Sequence, residues 1–342
     1  MSSSLSGSSP LDAARAVAAR VRARARHDVM GRDEVIDLSL IALLSGGHVL
    51  LEDYPGSGKT TLAKALGESL SSSLEGAGAA QGAAPIAPFR RVQFTPDMLP
   101  SDITGVMIFD AHTQEFRFRP GPVFAHVLLV DEINRTSPKV QSAMLEAMAE
   151  RQVTVDNKTY ALDPLFFVIA TQNPLDSVGT YPLPVAQLDR FLFKVRMKHI
   201  DRAAELEVLS AWGLPREREA LPGVSRDEVL AARAAIQRDV FVSEAVRVCL
   251  VDAARAVRED KRCAQGVSTR SLVQGLPALQ ARAALAGRDF VSAEDVEALS
   301  GPLFEHRLTL IPGVRDAQGL IADALRAPLE ALSRATLSAR VR

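Results

Sequence analysis

The chain has 342 residues, more than a single hydrophobic core usually serves, so two domains are expected. Its 40 basic and 41 acidic residues leave a net charge of -1, which removes any overall attraction to nucleic acid or to an anionic membrane. The best apolar run, at 36–44, is interrupted by Asp37 and Ser39, so no membrane-spanning helix is expected. Cys249 and Cys263 lack neighbours at metal-ligand spacing, and such sparse cysteines are typical of a cytoplasmic protein.

The first elements in chain order are an arm, a helix and a strand. Residues 1–28 begin rich in Ser and Gly and continue rich in Arg, which predicts a flexible N-terminal arm that runs into a helix. Apolar residues over 33–44 follow a helical period, and Gly46 and Gly47 stop that helix. The apolar run 48–51 follows as a short strand that leads straight into a glycine-rich turn.

Four further segments are candidates for buried strands, at 91–94, 126–130, 165–170 and 191–195. Continuous apolar strands that alternate with helices are typical of a parallel sheet covered on both faces. We therefore predict a three-layer α/β core over residues 29–200, with inserted hairpins at about 105–118 and 152–160. The stretch 71–88, rich in Ser, Gly and Ala, is predicted to be a flexible loop.

The last third of the chain is predicted to be helical. Proline and glycine residues, among them Pro222, mark a linker over 201–224. Beyond it, Ser292 followed by Asp295 is a helix-capping pattern. We predict a separate α-helical domain over 225–342.

The turn after the first strand carries a phosphate-binding pattern. Phosphate oxygens are bound where small residues let backbone N–H groups converge at the start of a helix. Lys59 is placed to reach the β- and γ-phosphates of ATP, and the Thr60 hydroxyl to bind Mg²⁺. The full pattern would have glycine at Asp53, and a plain strand-to-helix turn is the alternative. The predicted nucleotide-binding residues are Pro55, Gly56, Ser57, Gly58, Lys59, Thr60 and Thr61.

Polar residues also follow two of the later strands. Asp131 is the predicted second metal ligand, and Glu132 is the predicted base that activates the attacking water. The alternative is a strand that ends in two capping acids. Asn173 follows the next strand and is predicted to orient the water, although an Asn before Pro is also a common turn former.

Two arginines complete the predicted site. Arg190 is a candidate arginine finger that acts on the nucleotide of a neighbouring subunit, or else forms an internal salt bridge with Asp189 or another acid. Arg270 opens a predicted helix in the C-terminal part, from which it either reaches the γ-phosphate or remains a surface arginine.

Taken together, these motifs resemble the MoxR family of AAA+ ATPases from about Val29 to the end of the chain. The runs that carry the resemblance are 46–53, 93–102, 118–122, 131–135, 170–174 and 179–184. Two positions depart from the family pattern, since Val185 stands where Glu is usual and Thr269 where Pro is usual.

The resemblance implies a P-loop NTPase core of the AAA+ type followed by a helical lid. It implies a Walker A motif at Lys59 and Thr60, a Walker B motif at Asp131 and Glu132, sensor 1 at Asn173, an arginine finger at Arg190 and sensor 2 at Arg270. It also implies a hexameric ring that hydrolyses ATP with Mg²⁺ as a chaperone-like remodeller or cofactor-maturation factor for a protein client. A partner with a von Willebrand factor A domain is part of that expectation.

Other functions remain possible at this level. One is a nucleotide-gated oligomeric scaffold with little hydrolysis. A nucleic-acid motor is disfavoured by the neutral net charge. A small-molecule kinase is disfavoured by the separate helical domain together with Arg190.

Overall fold

The computed structural model of the chain describes residues 9–52, 58–70, 86–173, 179–211 and 222–340. The chain divides into two compact units, which are described one at a time. The larger unit is Val21–Arg226, and the other combines Met1–Arg20 with Asp227–Arg342. None of the described helices combines the length and the hydropathy that crossing a membrane requires.

The helices are α1 (Pro10–Asp28), α2 (Asp33–Ser45), α3 (Lys59–Ser69), α4 (Pro100–Thr104), α5 (Pro138–Glu150), α6 (Val185–Leu188), α7 (Arg202–Ser210), α8 (Arg226–Asp239), α9 (Glu244–Glu259), α10 (Thr269–Leu285), α11 (Ala293–Phe304) and α12 (Ala317–Arg340). The strands are β1 (Val49–Glu52), β2 (Ala87–Gln93), β3 (Gly105–Asp110), β4 (Glu115–Pro120), β5 (Ala125–Asp131), β6 (Gln152–Val155), β7 (Lys158–Ala161), β8 (Phe167–Gln172), β9 (Phe193–Arg196), β10 (Cys263–Gln265) and β11 (Thr309–Leu310).

The larger unit is built on a five-stranded sheet with the order β2-β5-β8-β1-β9. All four strand pairs are parallel, which confirms the predicted α/β fold. Every residue of β5 is buried, so both faces of the sheet are covered there. Leu128 and Val130 pack with Met144 of α5 on one face, while α3 contacts β2 and β5. Strands buried on both faces explain the continuous apolar runs in the sequence.

Two antiparallel hairpins, β3–β4 and β6–β7, interrupt this alternation. The first is anchored through Phe118, whose ring stacks on Tyr160 of the second hairpin with centroids 4.0 Å apart. Phe118 also meets Phe124 edge-on, with ring centroids 5.5 Å apart. Towards the tip of β3–β4, Phe109 and Phe116 contact each other but remain 53% and 67% exposed. The hairpin therefore packs at its base and presents aromatic side chains at its tip.

The start of the chain is more ordered than its composition predicts. Residues 10–28 form α1, with an apolar stripe of Ala14, Val17, Ala18, Val21 and Ala25 that is buried. This spacing of three and four residues places the stripe on one face of a helix. Two of the alternating arginines belong to the larger unit and have partners within it, since Arg22 pairs with Asp37 and Arg24 donates to the Glu68 carbonyl at 3.3 Å.

Two other predicted irregular segments contain regular structure. α7 lies inside the predicted linker 201–224, and its first turn is capped by Asp201, which accepts from the Ala204 N–H at 2.8 Å. The strand β2 begins at Ala87, within the predicted loop 71–88, because pairing with β5 extends it. Residues 71–85 of that loop lie outside the described residues.

The second unit is mostly helical, with the short pair β10–β11. Asp295 is a fully buried charge of this unit, and it forms the predicted capping box with Ser292 at the start of α11. Arg288 binds the carboxylate through two contacts of 2.6 Å, and Arg282 adds a third ion-pair contact. Burial raises the pKa of Asp295, but the Arg288 and Ser292 hydrogen bonds and Arg282 outweigh it and hold that pKa below its usual value.

We expect Asp295→Asn to lower the free energy of unfolding of this unit by about 3 kcal/mol, because it leaves two arginines without their anionic partner. Asp289→Asn changes an exposed side chain in the same region and should cost less than about 0.5 kcal/mol. Urea unfolding followed by circular dichroism measures both.

The effect should also depend on pH. Because the folded pKa of Asp295 is depressed, its contribution is complete well above the unfolded value of 3.8 and is lost as the pH falls through the folded pKa. The difference between wild type and Asp295→Asn should therefore shrink in acid. An equal difference at pH 7 and at low pH would contradict the role given to this carboxylate.

Candidate nucleotide site

The candidate site lies along the carboxyl edge of the five-stranded sheet. Because β1, β5 and β8 run parallel, their last residues, Glu52, Asp131 and Gln172, share one edge. Open α/β sheets bind ligands at this edge. The chain segments that continue from these strands are those that carry the predicted motifs.

The helix α3 starts at this edge, and its first two residues are Lys59 and Thr60 of the predicted phosphate site. Gly58 precedes it with φ 92°, a left-handed conformation that favours glycine, and no described side chain caps the helix. A Cβ at Gly58 would meet no atom of the described residues within 4 Å. Lys59 and Thr60 are half-buried and Thr61 is exposed. A helix N-terminus that follows a glycine in the left-handed conformation suits an anion.

Pro55, Gly56 and Ser57, with Asp53, lie outside the described residues. Their predicted phosphate contacts therefore stay a prediction.

Asp131 and Glu132 are joined by one threonine of the neighbouring strand. The Thr171 hydroxyl donates to Asp131 Oδ1 at 3.3 Å and accepts from the Glu132 backbone N–H at 2.9 Å. The parallel register sets this contact, because Val130 lies opposite Ala170 and the next residues are Asp131 and Thr171. Arg91 of β2 reaches the other carboxylate oxygen, with Nε 2.7 Å from Asp131 Oδ2.

The Glu132 carboxylate is held from two sides. Gln93 Nε2, at the end of β2, donates to Glu132 Oε2, and Arg135 Nε lies 3.1 Å from the same oxygen. The backbone of Glu132 has φ 55°, a left-handed conformation that is costly for a residue with a side chain. Such conformations persist where the surroundings impose them, and they cluster at functional sites. Here the Thr171 contact and the following 3-10 turn impose it.

Asn173 directly follows β8, whose last residue contacts a third carboxylate at the same edge, that of Glu52. Gln172, the residue before it, donates to Glu52 Oε1 at 3.0 Å. Lys194 and Arg196 of β9 also contact Glu52, at 2.8 and 3.1 Å. Burial raises the pKa of Glu52, but the hydrogen bond and charge of Lys194, with Gln172 and Arg196, outweigh it, so the pKa lies below its usual value. Glu52 stays ionised and ties β1 to both neighbouring strands.

The residues at this edge fit a magnesium ion. Carboxylate and hydroxyl oxygens are the ligands that Mg²⁺ prefers, and Asp131 and Thr60 offer them. The guanidinium of Arg91 shows that Asp131 Oδ2 accepts a cation in this setting. No group of three or more His, Cys, Asp or Glu side chains forms a metal site in the described ranges. This donor set suits an ion whose coordination is completed by water and substrate phosphate.

Arg190 lies at the opposite edge of the sheet. It precedes β9, whereas the phosphate site follows the carboxyl end of the adjacent strand β1. Its Nη1 donates to the Leu145 carbonyl of α5 at 2.9 Å. Within the described part of the chain it forms no ion pair with Asp189 or another acid. It lines a groove of about 500 Å³ whose other lining residues include Glu146 and Glu150.

Arg270 belongs to the helical unit. It lies in the first turn of α10, after Ser268, whose hydroxyl accepts from the Ser271 N–H at 3.2 Å. The side chain is exposed and makes no hydrogen bond or ion pair to any described residue. Its predicted action on the γ-phosphate stays a prediction.

Three contacting residues were not assigned from the sequence: Arg91, Gln93 and Thr171. Thr171 stands two residues before the predicted Asn173, in the run 170–174. Arg91 and Gln93 alternate at the end of a predicted strand, so they share one face. That spacing was the available signal, but only the strand order places β2 beside β5.

Comparison with known proteins agrees with this geometry. Residues 48–193 match the ATPase family associated with various cellular activities (AAA), and residues 255–327 match the AAA lid domain. YeaC of Bacillus subtilis is 43% identical over 298 residues, which are 87% of this chain and 88% of that protein.

Two further proteins extend the comparison. Chaperone MoxR1 of Mycobacterium tuberculosis is 36% identical over 297 residues, 82% of this chain and 73% of that protein. A candidate ATPase from Cytophaga hutchinsonii has a crystal structure that superposes with a TM-score of 0.82 at 34% identity, over 93% of this chain and 96% of that one. With its AAA core, its lid and these relatives, the chain belongs to the MoxR family of AAA+ ATPases.

Proposed function

We propose that the protein hydrolyses Mg-ATP between the subunits of a hexameric ring in the cytoplasm, and uses the energy to remodel or mature a protein client. The observation that carries the proposal is the Thr171 hydroxyl, which holds Asp131 and Glu132 together at the carboxyl edge of the sheet. In the same sheet, β1 leads towards Lys59 and Thr60.

Each residue has one task in this proposal. Lys59 and the backbone N–H groups at the start of α3 bind the phosphates. Asp131 and Thr60 would hold Mg²⁺, which supplies positive charge to the phosphate oxygens. Glu132 accepts a proton from the water that attacks the γ-phosphorus, Asn173 orients that water, and the bond to the leaving ADP oxygen breaks.

The position of Arg190 supports a site shared between subunits. A four-residue strand spans about 13 Å at roughly 3.3 Å per residue, and Arg190 precedes the amino end of such a strand, β9. The nucleotide of the same subunit would bind beyond the carboxyl ends. A second copy is therefore needed to bring an Arg190 to each nucleotide, which a closed ring provides for every subunit. Arg270 would contribute from the lid.

The client is proposed to contact the hairpin β3–β4. The relative MoxR1 is named a chaperone, and a protein that handles other polypeptides needs exposed apolar side chains. Phe109 and Phe116 provide them at the hairpin tip. A protein with a von Willebrand factor A domain is the partner we propose from the resemblance, and no role in binding nucleic acid is proposed.

We expect Glu132→Gln to bind ATP as wild type does and to lose turnover by about 10²-fold or more, because the amide cannot accept the proton. Steady-state phosphate release and binding of a fluorescent ATP analogue measure the two properties. Glu34→Gln, an exposed acid in the first turn of α2, is the control and should leave both unchanged.

Two outcomes would contradict the assignment. Turnover by Glu132→Gln equal to wild type would remove Glu132 as the base. Tight ATP binding by wild type without phosphate release would favour the nucleotide-gated scaffold instead.

We expect Arg190→Ala to bind ATP but not to hydrolyse it, and activity to return when it is mixed with Glu132→Gln. Each mixed interface can combine an intact Glu132 with an intact Arg190 of the neighbouring subunit. With random assortment about a quarter of the interfaces are complete, so about a quarter of wild-type phosphate release is expected. No recovery after subunit exchange, despite normal assembly, would show that Arg190 does not act between subunits.

For the hairpin, we expect the double variant Phe109→Ser and Phe116→Ser to keep basal ATP hydrolysis and to lose the suppression of aggregation of a chemically denatured model protein. Val248→Ser with Val251→Ser is the matched control, because both side chains are apolar and about half exposed on α9. Equal loss in the two double variants would point to general surface hydrophobicity and contradict a specific contact by the hairpin.

A further inference from the structure

The predicted metal ligand Asp131 is already paired with a cationic side chain of its own chain, that of Arg91. Arg91 Nε lies 2.7 Å from Asp131 Oδ2, and the Asp131 side chain is only 7% exposed. The parallel register explains the contact. Gln93 lies opposite Asp131 and Arg91 opposite Leu129, so these four residues share one face of the sheet.

Both oxygens of this carboxylate have partners, since Thr171 donates to Oδ1. A divalent cation that binds Oδ2 directly therefore meets the positive charge of the Arg91 guanidinium at the same oxygen and competes with it. The Arg91 side chain is 52% exposed and lies on an edge strand, so it can turn into solvent and lose few contacts. Asp131 itself is held in its strand and by Thr171.

We propose that Arg91 is an internal counter-cation that competes with the divalent metal for Asp131 and so sets the metal affinity of the site. The inference rests on the proposed function, because it concerns the same metal. Arg91 acts through Asp131 and is not itself a catalytic residue. Without the metal it neutralises a nearly buried carboxylate, and with the metal it is released.

The competition has a direct consequence for metal affinity. When the metal displaces the Arg91 guanidinium, the interaction between Arg91 and Asp131 is lost. Metal binding is weaker by the free energy of that interaction. With a neutral side chain at position 91, metal binding carries no comparable loss of free energy. Removing a charged hydrogen bond of this kind should therefore tighten metal binding by about tenfold.

The test measures Mn²⁺ binding to the full-length protein with a non-hydrolysable ATP analogue bound, from the electron paramagnetic resonance signal of free Mn²⁺. Binding to the analogue alone is the reference. Arg91→Gln should bind Mn²⁺ about tenfold more tightly than wild type, and Arg91→Lys, which keeps the charge, should stay within about threefold of it. Circular dichroism and thermal unfolding check that each variant is folded.

The chain offers a matched control in Arg90, the preceding residue of β2. Strand residues alternate between faces, and Val92, two residues after Arg90, packs into the core on the α5 side. Arg90→Gln thus removes the same charge on the other face and should leave Mn²⁺ affinity within about twofold of wild type. In an Asp131→Asn background, Arg91→Gln should no longer tighten binding, which separates the Asp131 contact from a general structural effect.

The outcomes separate this inference from the proposed function. If folded Arg91→Gln binds Mn²⁺ as wild type does, or more weakly, the proposed competition is wrong. The proposal that the protein hydrolyses ATP does not depend on this result. The same tightening in Arg90→Gln assigns the effect to net charge and also overturns the competition. If Arg91→Gln does not fold, a Mn²⁺ affinity of Arg91→Lys more than tenfold below wild type overturns it. Failure of the wild type to bind the analogue with Mn²⁺ refutes the proposed function itself.

Discussion

The parallel pairing of β5 with β8 is the constraint on which the candidate site depends. It brings Asp131 beside Thr171, and the threonine hydroxyl then does two things at once. It donates to the Asp131 carboxylate and accepts from the Glu132 N–H, which supports the left-handed backbone at Glu132. A shift of the register by one residue would turn Thr171 to the other face and leave both acids without this partner.

Charge compensation is the second organising feature of this edge. Three carboxylates end or follow its strands, and each has a basic partner: Glu52 has Lys194, Asp131 has Arg91 and Glu132 has Arg135. Uncompensated, they would repel a polyphosphate that binds beside them. Because the partners come from different elements, each acid can be neutralised or exposed separately. The inferred exchange of Arg91 for a metal is one use of that arrangement.

The two edges of the sheet have different roles in the proposed function. The carboxyl edge carries the residues that would bind and hydrolyse the nucleotide, and the amino edge carries Arg190 with its contact to the Leu145 carbonyl. This division makes a single subunit incomplete under the proposed function and gives oligomerisation a chemical reason. The hairpin β3–β4 is a third feature, joined to the core through Phe118 and exposed at Phe109 and Phe116.

Local signals in the sequence determined the class of fold, the order of the elements and the strand ends that carry polar residues. Apolar runs identify strands, glycine and capping patterns identify helix ends, and the carboxyl ends of parallel strands share an edge, so Asp131 and Asn173 could be placed there. Tertiary structure alone decided which side chains meet. The order β2-β5-β8-β1-β9 is not the chain order, so the contact of Arg91 with Asp131, 40 residues away, has no local signature. The same holds for the partner of Arg190. Among the described residues, the side chain donates to the Leu145 carbonyl and not to an acid, and this depends on how α5 packs.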